Sequence, residues 1–195
     1  MDEKQIVPQQ KSFHAQAMAL VSAVEKTLRL KGGLLLSARP LVIRKKIVQF
    51  GKRMRVDGLE NFGERTVFAS INFYFDKARM EHHRAVGSMI VYLPVSYIGR
   101  LLHMMDYPDV DEDDEESVLD ACGTVANLFA GAFVKELKGL GYVHLEMSHF
   151  ESYINTAVDG IEFSSDQEWK YEISFEISGA KRMVADLTLA HIPRY

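Results

Sequence analysis

Asp120-Ala-Cys-Gly-Thr-Val-Ala-Asn127-Leu-Phe-Ala-Gly131 is the stretch on which the fold turns. At about 100° per residue, Asp120, Thr124, Asn127 and Gly131 fall within roughly 60° of one another on a helix. The other side of that helix carries Leu119, Cys122, Val125, Ala126, Phe129, Phe133 and Leu137, spaced by three and four like a core-facing stripe. The expectation is therefore a mostly apolar helix bearing one narrow polar stripe. Asn is a mediocre helix former because its amide competes with the backbone for hydrogen bonds. Between Ala126 and Leu128, one turn before a glycine, it calls for a reason. Two readings are open: a solvated helix face with a glycine where another element packs closely, or a surface kept for recognition.

Outward from this helix, an acidic run precedes it and two glycines, Gly139 and Gly141, follow it. Upstream, the spacing predicts a helix over residues 12–31 with Ala17, Leu20, Val21, Val24 and Leu28 on one face, ended by Gly32-Gly33. Residues 1–11 read as a mobile lead-in. Strands are expected over 34–49, 51–57, 65–75 and 86–93, with a short helix from Pro94 through Met105. The second half adds strand-like stretches at 142–148, 153–158, 169–178 and 182–190. From Trp169 to Ile177 apolar and polar residues alternate as in a sheet with one wet face. This order implies an α+β fold, a mainly antiparallel sheet with three helices packed on one face. No Pro/Gly/Ser-rich linker divides the chain, so 12–195 is expected to be a single domain.

The polar stripe also resembles a known signature. Asp120-x-x-x-Thr124-x-x-Asn127-x-x-x-Gly131, followed by Lys135-Glu-Leu-Lys-Gly-Leu-Gly141-Tyr, is similar to the signature helix of the CheC/CheX-type chemotaxis phosphatases. In that pattern an Asp or Ser leads, a Glu and an Asn follow, and a Gly stands one turn later. The resemblance implies a CheX-like fold whose helix docks on a phosphorylated receiver domain of a response regulator. It gives Asn127 the part of orienting the attacking water and makes Asp120 the leading acidic residue. The position of the family's Glu, which pairs with a receiver lysine, is held by Thr124. Where the family tends to place a proline, this sequence has Ser148-His149-Phe150. The N-terminal helix carries no matching Asn stripe, so one site is implied rather than two. The function implied is docking on a receiver with weak or lost aspartyl-phosphate phosphatase activity, and a homodimer paired through its sheets at the Trp169–Ile177 strand. The alternative is a non-catalytic regulatory domain that binds a protein or a nucleotide through a basic strand face.

Composition narrows the remaining classes. Over 195 residues, 47% are hydrophobic and 26% charged, which is ordinary for a globular protein large enough to bury a core. A net charge of −4 gives no bulk electrostatic case for nucleic acid. No apolar run approaches the roughly 18 residues needed to span a bilayer, so no membrane partner is expected. The single cysteine, Cys122, lies on the apolar side of the helix and reads as a structural thiol in a cytoplasmic protein.

Other charged groups are candidates for chemistry. Asp109 to Glu116 holds seven acidic residues in eight positions and begins like a calcium loop. Asp114 replaces the glycine such a loop needs, and Asp120 stands where a bidentate Glu belongs, so the run reads as a complement to the helix dipole. Arg39, Arg44, Lys45, Lys46, Lys52, Arg53 and Arg55 form a basic cluster that reads as a charged strand edge. Glu81-His82-His83 falls in a turn, and His144 and His149 would face oppositely on a strand. Neither set has metal-ligand spacing, so no metal and no cofactor are expected.

Overall fold

The computed structural model describes the backbone of residues 8–192 and side chains from residue 14 onward. Four helices are present: α1 (Pro8–Gly32), α2 (Lys77–Glu81), α3 (Val95–Met104) and α4 (Glu115–Lys138). Ten strands accompany them: β1 (Leu41–Lys46), β2 (Gln49–Phe50), β3 (Arg53–Asp57), β4 (Thr66–Tyr74) and β5 (Gly87–Pro94) in the first half. In the second half come β6 (Glu146–Met147), β7 (Glu151–Ile154), β8 (Ala157–Ile161), β9 (Trp169–Ile177) and β10 (Ala180–Leu189). Among the described residues helix α1 is already present at Pro8, ahead of the expected start at residue 12. The rest of the expected mobile lead-in, residues 1–7, lies outside the described residues.

Seven strands form one antiparallel sheet in the order β1-β9-β10-β5-β4-β6, with β7 also paired to β4. The α+β class and the three helices α1, α3 and α4 on one face are as the sequence implies. Their apolar stripes (Leu20, Val24 and Leu28; Ile98, Leu101 and Leu102; Val125, Phe129 and Phe133) meet Val67, Ala69, Ile71, Phe73, Val91, Phe175 and Leu187 in one core. Burying side chains of this size stabilises by about 1.5–3 kcal/mol each. Helix α1 touches β9 and β10, whereas α4 lies over β4, β5 and β7, and the two helices pack side by side. Lys26 of α1 donates to Glu136 of α4 at 2.7 Å, and the Ser22 hydroxyl donates to the same carboxylate at 3.2 Å.

The other face of the sheet departs from expectation. A second sheet, β2-β3-β8, covers part of it. Met54, Val56 and Ile161 of that sheet, with Ile47 and Phe163 beside it, bury against Phe68, Ile90, Tyr92 and Val184. The stretch read as one strand over 153–158 is in fact divided between the two sheets. Asn155 sits at φ 47° at the corner, a left-handed conformation that asparagine tolerates. The first half of 34–49 is not strand: Gly33, at φ 61°, turns the chain off α1, and a loop runs to Pro40.

Strand β9 is interior, flanked by β1 and β10, so it offers no edge. The sheet edge on that side is β1. Helix α4 also corrects a second expectation, since Glu115–Lys138 is long and apolar enough by length and composition to cross a bilayer. Ten of its residues are buried in the protein core, which accounts for that apolarity.

Candidate functional site

Helix α4 begins where Asp114 caps it, its carboxylate accepting from the N–H groups of Glu116 at 3.2 Å and Ser117 at 3.3 Å. Glu115 and Glu116 occupy the first turn and Lys135 and Lys138 the last, matching the helix dipole at both ends. Arg65 at the head of β4 pairs with Glu115 at 2.5 Å. The acidic run thus caps and anchors the helix. Among the described residues, no three His, Cys, Asp or Glu side chains gather into a metal-binding group.

The stripe emerges as its period requires. Asp120 and Asn127 are exposed and Thr124 is half-buried, while Cys122, Val125, Phe129 and Phe133 are fully buried. Phe133 meets Phe73 edge-on at 5.7 Å between ring centres. Burial pushes the Cys122 thiol well above its usual range, and its Sγ lies 3.8 Å from the Val91 carbonyl, so it is no nucleophile. Among the described residues, Asp120, Thr124 and Asn127 have no side-chain hydrogen-bond or ion-pair partner. Thr124 precedes Asn127 by about 4.5 Å along the axis, and Asp120 lies about 6 Å further back.

Two glycines shape the surroundings, and the close packing that one sequence reading gave to Gly131 is found at Gly123 instead. A Cβ on Gly131 would meet nothing within 4 Å. Its missing side chain leaves a shallow opening one turn beyond Asn127, with no element packed on it. Gly123 is the close-approach glycine, since a Cβ there would lie 2.1 Å from the Phe150 ring. Phe150 belongs to the Ser148-His149-Phe150 segment, which joins β6 to β7 along β4. Ser148 fixes that crossover: its N–H donates to the Asn72 carbonyl at 2.9 Å and its hydroxyl oxygen accepts the Asn72 N–H at 3.0 Å. A double hydrogen bond therefore holds the segment where the family pattern has a proline. Phe150 and Gly123 thus join the surroundings of the stripe; from sequence Phe150 is marked only as part of the segment that replaces the family's proline, and Gly123 is given no part. The signal was available, since a mid-helix glycine costs about 1 kcal/mol against alanine and asks for a packing reason.

The basic cluster does not form one face. Arg44 lies over the Trp169 ring, Lys45 pairs with Glu172 at 2.6 Å, and Arg53 and Arg55 on β3 pair with Glu162 and Asp159. His83 is drawn to the same Glu162 at 2.9 Å, and Tyr74 donates to it at 3.1 Å.

A layer of three helices on a seven-stranded antiparallel sheet, with a solvent-facing polar stripe on the third long helix, defines the architectural class. No protein-family model matches the sequence, and no curated protein does. Solved structures do. The chemotaxis protein CheX from Vibrio vulnificus superposes with a TM-score of 0.55 at 12% identity, over 88% of this chain and 97% of that one. CheX from Desulfovibrio desulfuricans gives 0.53 at 15% identity, covering 89% and 98%. A CheC-like superfamily protein from Shewanella sp. PV-4 gives 0.54 at 14% identity, covering 89% and 96%. The chain has the fold of the CheX/CheC-like chemotaxis proteins.

Proposed function

We propose that this protein is a CheX-like component of two-component or chemotaxis signalling, with residues 12–195 acting as one domain that docks through α4 on a phosphorylated receiver domain. The observation that carries this reading is the carboxamide of Asn127, exposed and unpartnered among the described residues, beside the opening left by Gly131. A carboxamide offers a donor and an acceptor from one rigid plane, which suits it to holding a water in line with an aspartyl phosphate. Asp120 and Thr124 extend the same contact line.

Thr124 limits the chemistry. In place of a Glu it removes a charge-assisted hydrogen bond to a receiver lysine worth about 1.5–3 kcal/mol, roughly tenfold to a hundredfold in binding or rate. Asp120, a turn and more away, does not replace it. The expected activity is weak or absent, and docking is the retained function. Phosphate release from a phosphorylated receiver tests this. Asn127→Ala should abolish any acceleration, and Thr124→Glu should raise it. If neither substitution changes the rate or the affinity for the phosphorylated receiver, the stripe is only a solvated helix face.

The cellular setting proposed is cytoplasmic, and the assembly a homodimer. Its interface would be β1 rather than β9, because β1 alone on that side leaves backbone groups unpaired and exposes Leu41 and Ile43. Light scattering that shows only monomer at tens of micromolar would refute the dimer.

A further inference from the structure

We propose that a cavity of about 370 Å³ under the N-terminal half of α1, at the β1–β9 edge, is a binding site for a purine nucleoside phosphate. Its volume lies within the range of small-molecule sites. Its lining includes no residue of α4, so it is distinct from the docking stripe and stands or falls without it.

Three kinds of chemistry converge there. Arg44 projects from β1 with its guanidinium 4.5 Å from the centre of the Trp169 ring, beside its cross-strand partner Tyr171. It is the member of the basic cluster that lines this cavity, and among the described residues it has no carboxylate partner. A planar fork of donors that is not neutralised by its own protein is a phosphate ligand in waiting. Trp169 and Tyr171, two residues apart on one strand, supply an aromatic wall. Trp169 is 40% exposed, and Tyr171 is half-buried, packed on one side against the main core, and both line the cavity.

The third contribution selects the ring. Gln167 is only 7% exposed, yet among the described residues its carboxamide has no hydrogen-bond partner. Its amide lines the cavity and is free to bond a ligand there, offering both a donor and an acceptor. Asp166 and Glu168 flank it at the rim. Carboxylates there oppose a compact polyanion but accept well from the ring N–H and amino groups of a purine. Guanidinium for phosphate, aromatic wall for the base, amide and carboxylates for the base edge: one ligand class satisfies all three.

Trp169 is the only tryptophan in the chain, so its fluorescence reports this cavity alone. The protein is titrated with GMP, AMP and inorganic phosphate, following Trp169 emission and, independently, heat. A saturable response to a purine monophosphate at micromolar to low millimolar concentration, with inorganic phosphate at least about tenfold weaker, is expected. Arg44→Met and Gln167→Leu should each weaken the nucleotide by about tenfold, with Arg100→Ala on α3 as an unaffected control. Arg44 is exposed on an edge strand, and circular dichroism verifies the fold of each variant. No saturable response from the wild type, equal affinity for inorganic phosphate, or unchanged binding by both cavity variants would each overturn the proposal.

Discussion

Gly123→Ala and Gly131→Ala are the same chemical change in the same helix, eight residues apart, and should shift stability in opposite directions. A methyl group at 123 would sit 2.1 Å from Phe150, where ordinary contact begins near 3.4 Å, a deficit of about 1.3 Å. The neighbour is an aromatic ring on a segment pinned by the paired hydrogen bonds between Ser148 and Asn72, so it cannot swing aside freely. Overpacking of this kind costs about 1–3 kcal/mol, and alanine's better helix propensity returns up to about 1 kcal/mol of that. At 131 the methyl group meets open space, so the propensity gain of about 0.5–1 kcal/mol should appear nearly in full. The two variants should differ by roughly 1–3 kcal/mol in urea unfolding, with Gly123→Ala the less stable. The double variant Gly123→Ala/Phe150→Ala should recover part of that loss relative to Phe150→Ala alone, giving a favourable coupling. If Gly123→Ala is as stabilising as Gly131→Ala, Phe150 does not pack on α4 and the account of the crossover fails.

Asn127→Ala and Thr124→Glu should both leave unfolding free energy within about 1 kcal/mol of wild type, since the stripe makes no side-chain bonds within the described core; a larger loss would mark Asn127 as structural. Two carboxyl groups should act oppositely on pH dependence. Hydrogen bonding to Lys26 holds the Glu136 carboxyl below its ordinary value near 4.5. Its stabilisation is present above that pH and lost as pH falls through the folded value, so Glu136→Gln should cost about 0.5–1 kcal/mol at neutral pH and flatten the acid limb. Burial raises the Asp186 carboxyl above 3.8, although Lys170 at 2.5 Å and the Tyr92 hydroxyl at 2.9 Å oppose the shift. A raised carboxyl favours the folded state at low pH and loses that contribution as pH climbs through the folded value. Urea midpoints measured from about pH 3 to 7 should therefore decline less on the way up for Asp186→Asn than for wild type, and a steeper decline would contradict the assignment.

Periodicity alone was enough to identify α4, its buried face and its exposed stripe, because a helix's side-chain directions follow from local geometry over about 3.6 residues per turn. The same holds for Thr66–Tyr74, Gly87–Pro94, Trp169–Ile177 and Ala180–Leu189, long strands whose patterns suffice to place them. The motif Asp120, Thr124, Asn127, Gly131 likewise points to the CheX-like fold by its resemblance to the family's signature. What local pattern could not carry was which strands are neighbours. That Trp169–Ile177 is interior and Leu41–Lys46 the edge depends on pairings across more than a hundred residues. The division of 153–158 between two sheets depends on a corner at Asn155 that costs nothing visible in hydropathy. Gly123 and Gly131 look alike in sequence, and only the arrival of Phe150 from the β6–β7 crossover makes one indispensable and the other open. The cavity beside Arg44 has the same origin. Its groups come from α1, β1 and the approach to β9, and only tertiary packing brings an unpaired guanidinium, two aromatic rings and a buried amide to one place.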